Sequence, residues 1–395
     1  MPKWLLFCLT MKIMFTQSKL VVYSPQDLIE QFKDTNSVIN ANYANFGHIP
    51  YGQSLIGKIY YDQDNMMGCQ KMNMTDNSDS TFDSNDGQDV HKTKILLVDR
   101  GECSFVTKVR NAERAGASLV VVVDNKAENI TNVVMGDDGT GTGIRIPSML
   151  IGKEDGLKLK YYANNYDAGT LSAEFNTPMI DGKVHVELWY SSNNRLALDF
   201  IKAFDKYIHQ LEDRVDFEPR FVTWACPFCS DDYKAEECFG DGKYCAPNHD
   251  RSTYSNIYGR DIISEDLRQH CLHNALKDQG KESLWWDYIK FVHSECFGFI
   301  SGQCSRMGHK KINMKYQDTV NCVSNSFDAV SNKQYLNDNS ILRENAQQWS
   351  EYGTLYWPSV TIDRLTFRGD LTPENILEAV CASLNVKPDV CIQYY

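Results

Sequence analysis

Thirteen cysteines are the residues with the most chemistry to offer in this 395-residue chain. Two form a CxxC, Trp224-Ala-Cys226-Pro-Phe-Cys229. A CxxC at a helix start lowers the pKa of its first thiol and supports thiol–disulfide exchange. Cys238 and Cys245 follow at a spacing that, with Cys226 and Cys229, also suits zinc. Eight cysteines fall between residues 226 and 330, so each half of the CxxC has other partners within reach. Structural disulfides are therefore the expected use of Cys226, Cys229, Cys238, Cys245, Cys271, Cys296, Cys304 and Cys322, and of Cys381 and Cys391 after them. Exchange at Cys226 and Cys229 is the runner-up, and no metal is expected. Hydrolase chemistry lacks its signatures: there is no HExxH and no GxSxG. His270 and His273 sit three apart on one predicted helix, but they flank Cys271 and read as structural. The acidic run from Asp76 to Asp89 has oxygen ligands for calcium without the ordered spacing of an EF-hand loop, and reads as a solvated loop. Calcium is the one cofactor it leaves open. Residues 136–143 are glycine-rich but match no phosphate-binding pattern.

The cysteine count also speaks to compartment, since disulfides persist in oxidising lumens and outside cells. Residues 1–18 read as a secretory signal, with Lys3 ahead of an apolar run that Lys12 interrupts. Asn73-Met-Thr and Asn129-Ile-Thr are glycosylation sequons in predicted loops. Net charge is −12, which argues against nucleic acid as a partner. No later apolar run is long enough to span a membrane.

The elements that must hold these residues follow from periodicity. Ile95–Asp99 and Leu119–Val123 are apolar runs of strand length. Between them lie the turn Arg100-Gly-Glu-Cys103 and a helix with Phe105, Val109, Ala112 and Ala115 on one face. Residues 19–50 show no clear pattern. Val184–Tyr190 alternates as a strand, and Leu196 to Leu211 is an amphipathic helix. Phe221-Val-Thr-Trp224 is predicted as the next strand. A long helical stretch follows, then a helix over Ile341–Trp349 and a strand pair over 357–368. Thr372 and Pro373 begin a final helix. The order β-α-β, insertion, α-β-β-α is the thioredoxin-like plan. Pro358 stands where that fold uses a cis proline. The expected architecture is a mixed α/β, two-domain chain. Residues 19–180 form a domain of strands with flanking helices, for which the family resemblance carried by the segments that follow implies a β-sandwich or barrel. Residues 181–225 and 331–395 form the thioredoxin-like domain, interrupted by a cysteine-rich helical insertion over 226–330.

Specific segments carry a family resemblance. Leu97-Val-Asp-Arg-Gly-Glu-Cys-Ser-Phe105, Asn111-Ala-Glu-Arg-Ala-Gly-Ala117 and Ile146-Pro-Ser148 resemble a protease-associated (PA) domain. Glu187-Leu-Trp189, Val222-Thr-Trp-Ala-Cys-Pro227, Gly242-Lys-Tyr-Cys-Ala-Pro247, Leu267-Arg-Gln-His-Cys271, Trp285-Trp-Asp-Tyr288, Pro358-Ser-Val-Thr-Ile362 and Ile376-Leu-Glu-Ala-Val-Cys381 continue it in order. Together they resemble the luminal region of plant-type vacuolar sorting receptors. That resemblance implies a non-enzymatic protein of the secretory lumen, vacuole, endosome or cell exterior. Its PA domain would take peptide or protein ligands, alone or beside a membrane receptor in a larger assembly. The implied ligand-binding residues are Arg100, Gly101, Glu102, Cys103, Ser104 and Phe105, with Cys103 bonded to Cys69. Arg100→Ala is then expected to weaken peptide capture with little change in thermal stability. Two departures stand out. The EGF-like repeats and membrane span of those receptors do not occur in these 395 residues. The cysteine pair the family carries after the Glu-Leu-Trp strand is replaced by Ser191-Ser-Asn-Asn194.

Overall fold

The computed structural model describes residues 18–72, 93–166, 168–247, 257–352 and 356–394. The expected signal segment up to residue 17, the acidic run and Asn73 lie outside the described residues.

Seven strands close a barrel: β1 (Ser18–Ser24), β2 (Val38–Tyr43), β3 (Ser54–Tyr61), β4 (Lys94–Asp99), β5 (Leu119–Val123), β6 (Ser148–Ile151) and β7 (Thr170–Glu174). Their order around it is β1-β2-β6-β5-β4-β3-β7. β3, β4, β5 and β6 pair in parallel and the remaining pairs are antiparallel. Helices α1 (Gln26–Glu30), α2 (Phe105–Arg114) and α3 (Lys153–Tyr166) flank it. The unbroken apolar runs of β4 and β5 have a direct cause. Ile95, Leu97, Leu119, Val121 and Val123 point into the barrel, while Leu96, Val98, Val120 and Val122 face α2. A strand buried on both faces has no polar side to alternate with. α3 lies so close to β5 that a Cβ on Gly156 would stand 2.1 Å from Val123. The patternless stretch 19–50 supplies β1 and β2, which close the barrel.

The second domain is built on a four-stranded sheet ordered β13-β12-β8-β9. The strands are β8 (Val184–Tyr190), β9 (Val215–Phe221), β12 (Ser359–Ile362) and β13 (Leu365–Thr366). α4 (Arg195–Ile208) joins β8 to its parallel neighbour β9. The second strand thus ends at Phe221 rather than beginning there. Its Pro219 lacks an amide hydrogen, and β9 accommodates it at the sheet edge. The insertion holds α5 (Asp231–Glu237), the hairpin β10 (Cys238–Phe239) and β11 (Tyr244–Cys245), then α6 (Gly259–Lys277), α7 (Ser283–Phe291), α8 (Gly302–Lys311) and α9 (Tyr316–Asn325). α10 (Ser340–Tyr352) and α11 (Pro373–Ser383) complete the domain. Thr372 caps α11 by accepting from Asn375 N–H at 3.2 Å. The Trp357–Pro358 bond is cis.

One face of β8 sends Val184, Val186, Leu188 and Tyr190 into the main core with α4, α11, Trp285 and Trp286. The other face carries His185, Glu187 and Trp189 toward β9, β12 and α10. The two domains meet through residues 44–51 and 367–378. Ala44 and Gly47 carbonyls accept from Gly369 and Asp370. The Tyr51 ring packs 5.4 Å from Phe367.

Candidate peptide-binding turn and the cysteine framework

The turn at the end of β4 is built from beneath by one buried lysine. Lys108, on the inward face of α2, is fully buried. Its ammonium donates to the carbonyls of Met67 and Gly101, both at 2.6 Å. Burial pulls its pKa below the ordinary lysine value, against the attraction of Glu102 and Asp99. Asn111, one turn along, donates to Gly68 O at 3.0 Å. The Cys69–Cys103 disulfide ties the same two segments covalently. Gly101 has φ +137° and Glu102 φ +62°, conformations that send the chain sharply back toward α2. Ser104 then caps α2, its hydroxyl accepting from Thr107 N–H at 3.2 Å. The amides of Glu102, Phe105 and Val106 donate to no described residue. The result is a braced turn with unused donors at a helix start, of which those of exposed Glu102 and half-buried Phe105 lie nearest the surface while Val106 is buried.

Arg100 is more committed than the sequence implied. Its Nη1 donates at 2.9 Å to both Asp124 Oδ1 and Glu128 Oε1. Burial works against its charge, but these two carboxylates hold its pKa above the ordinary value. The Asp124 carboxylate is fully buried and its second oxygen has no hydrogen-bond partner. Arg100 therefore carries a structural charge pair as well as any ligand role. The expectation that Arg100→Ala leaves stability nearly unchanged is corrected accordingly. Glu102 is exposed, and Gly101, Cys103, Ser104 and Phe105 are half-buried. Asn129 is exposed, with its side-chain oxygen accepting from Thr131.

The described cysteines form six disulfides: Cys69–Cys103, Cys226–Cys229, Cys238–Cys245, Cys271–Cys322, Cys296–Cys304 and Cys381–Cys391. The four cysteines with zinc-like spacing are thus consumed as two disulfides. Of the pairings open to them, Cys226 and Cys229 bond to each other. Geometry explains this: Cys226 N–H donates to Gly242 O at 2.7 Å, pinning the CxxC on the β10–β11 hairpin, whose own Cys238–Cys245 bond occupies the adjacent pair. Both sulfurs' residues are half-buried just before α5, and Phe228 between them is 98% exposed.

Two clusters escaped sequence reasoning. At the turn between β8 and α4, Ser191 and Ser192 are buried. Ser192 N–H donates to Asp266 Oδ1 at 2.7 Å. Asp266 is wholly buried, its other oxygen is unpartnered, and burial lifts its pKa to about 8. That position has hydroxyls and a neutral acid at neutral pH, with no thiol. On the opposite sheet face His185, Glu187 and Glu218 gather within 4.8 Å, although no sequence spacing announces them. Arg220 already pairs with both carboxylates at 3.1 Å, and Thr361 donates to Glu187 at 2.6 Å. The cluster is a charge-compensated sheet face rather than a vacant metal site. His270 and His273, by contrast, are buried and neutral, with burial lowering both pKa values to about 4.

Among the described residues no helix is long and apolar enough to cross a membrane. The vacuolar sorting receptor thioredoxin-like domain family matches residues 184–381, and the PA domain family matches residues 56–159. Vacuolar-sorting receptor 1 of Pisum sativum is 30% identical over 377 residues, 88% of this chain and 58% of that protein. Vacuolar-sorting receptor 7 of Arabidopsis thaliana is 28% identical over 417 residues, 98% of this chain and 64% of that protein. A receptor homology region, transmembrane domain- and RING domain-containing protein of Arabidopsis thaliana shares 36% identity over 83 residues, 21% of this chain and 19% of its own length. The chain thus spans about three fifths of the sorting receptors it matches. With a PA barrel followed by the receptors' thioredoxin-like domain in one continuous alignment, the chain belongs to the vacuolar sorting receptor family.

Proposed function

We propose that this protein is a non-enzymatic peptide receptor of the secretory lumen, vacuole, endosome or cell exterior, binding extended peptide segments at the turn Arg100–Phe105. The observation that carries this reading is the preformed turn. Lys108 and the Cys69–Cys103 bond hold it rigid, and the amides of Glu102, Phe105 and Val106 have no acceptor among the described residues. A peptide carbonyl or carboxylate satisfies such donors, and rigidity spares the ordering entropy that a mobile loop loses on binding. The Nε and Nη2 groups of Arg100 donate to no described residue and add charged donors beside them. The relatives' role as sorting receptors supports peptide or protein cargo as the ligand class. A peptide array probed with the purified chain tests it. Bound sequences are expected, and Gly101→Ala, which strains φ +137° without removing a side chain, should cut their capture at least about tenfold. An unchanged array profile from that variant counts against the turn.

One observation favours a second reading. The Cys226–Cys229 disulfide stands half-buried before a helix beside a fully exposed Phe228, the arrangement of an exchangeable CxxC. In that reading a substrate thiolate attacks one sulfur and forms a mixed disulfide. The second substrate thiolate then displaces the cysteine, so the substrate dithiol is oxidised and Cys226 and Cys229 are reduced. Incubation with a reduced dithiol peptide, followed by alkylation and mass spectrometry, separates the two. Exchange confined to Cys226 and Cys229 supports the second reading, and none removes it.

A further inference from the structure

Between the two domains lies a cavity of about 230 Å³. The barrel side contributes β2 and the segments 131–134 and 176–178, and the thioredoxin-like side contributes the β12–β13 hairpin and α11. Its charge is one-sided. Arg364 and Arg368 line it, and no described lining residue is acidic. Residues 353–355, beside it in sequence, contain no acid either. Neither arginine has a carboxylate partner among the described residues. Arg368 is tied only through its backbone, which accepts from and donates to the Tyr51 hydroxyl at 3.2 and 3.0 Å. Burial holds its pKa below the ordinary arginine value, and no carboxylate offsets that cost. In the same wall the Thr177 hydroxyl is buried with no hydrogen-bond partner. The remaining surface includes the rings of Tyr43 and Phe367 and the side chain of Val133.

Arg368 is half-buried and Arg364 exposed; a partly desolvated guanidinium with no carboxylate beside it carries a cost that a ligand carboxylate would offset. We propose that this interdomain cavity binds the carboxylate of a small apolar acid, of the size of an N-acylated amino acid or the last residue of a peptide chain. The guanidinium fork matches a carboxylate edge to edge. The aromatic and aliphatic walls take an apolar body, which a bare phosphate lacks. Because the walls come from both domains, such a ligand braces the interface. The site is separate from the turn at Arg100–Phe105 and does not depend on that turn's role.

Isothermal titration of the intact chain tests this with N-acetyl-leucine as the free acid, N-acetyl-leucine amide and inorganic phosphate, with no turn peptide present. For a ligand of this size the free acid is expected to bind with a Kd on the order of 1 mM. The amide should bind at least about tenfold more weakly, since it cannot supply the charge. Arg368→Gln should erase the preference for the acid. The comparison of acid with amide on the unmodified protein requires no variant to fold. Equal affinity for acid and amide, no binding of either up to about 10 mM, or tighter binding of phosphate than of the acid overturns the proposal.

Discussion

Arg100→Ala should destabilise the barrel, and the size of the loss can be worked from the Arg100–Asp124 contact. The substitution removes one donor, Nη1, from two carboxylates at once. Glu128 is well exposed and regains water, so its loss costs little. Asp124 is fully buried, already has one oxygen without a partner, and keeps only Lys126 N–H at 3.3 Å. Breaking a buried pair by deleting one partner costs about 3–5 kcal/mol. Because the Arg100 side chain is a quarter exposed, some water reaches the pair, and about 2–3 kcal/mol is the expected loss. For a barrel-sized unit that is a fall in Tm of about 5–10 °C. Calorimetry on the wild type, Arg100→Ala and Arg100→Ala/Asp124→Asn reads it directly. The double variant should recover about half the loss or more, because asparagine leaves no uncompensated charge. A single-variant loss below about 0.5 kcal/mol, or no recovery in the double variant, refutes the reasoning. The double variant is also the one in which a binding defect reports on ligand contact rather than on unfolding.

Lys108→Met should cost about 1–2 kcal/mol, because it takes the only described donor from the half-buried Met67 carbonyl and one of two from Gly101 O, which keeps Cys103 N–H; urea unfolding checks it, and a loss below about 0.5 kcal/mol contradicts it. Stability should peak near pH 6–7. His270 and His273, lowered to about 4, favour the folded state above the unfolded histidine value and lose that contribution as pH falls toward 4. Asp266, raised to about 8, is protonated when folded, so its contribution is full below the ordinary aspartate range and is lost as pH rises through about 8. Each group is worth at most about 1.4 kcal/mol per pH unit in its window. Unfolding free energies from pH 4.5 to 8.5 should show both limbs, and Asp266→Asn should flatten the alkaline one. Mild reduction followed by alkylation should label the half-buried Cys226 and Cys229 before Cys238 and Cys245, which are both buried; labelling of the Cys238–Cys245 pair first contradicts it.

What could be read in advance was local or carried by a continuous pattern. The apolar runs at β4 and β5 announced strands, and Thr372-Pro373 announced the start of α11. The barrel's closure was not legible, because β1 and β2 bury only alternate positions such as Leu20 and Val22 and are separated by residues 25–37, which hold α1 and a further turn of helix. β9 was misplaced because Pro219 reads as a breaker, and only its edge position reconciles it with a strand. The turn itself was marked by Arg-Gly-Glu-Cys. Its supports were not, because Asp124 and Glu128 are 24 and 28 residues from Arg100, and Lys108 looks like any surface lysine until α2 is docked. The His185 cluster needed the β8–β9 register, and the interdomain cavity needed the relation of two domains.

The central claim is that the turn Arg100–Phe105 captures peptides. Its most direct test is isothermal titration of one array-selected peptide into the wild-type chain, Gly101→Ala and Cys226→Ser/Cys229→Ser. The account predicts saturable binding to the wild type, at least about tenfold weaker binding to Gly101→Ala, and unchanged binding to the double serine variant. Full-strength binding by Gly101→Ala, or binding lost only with the two serines, contradicts it.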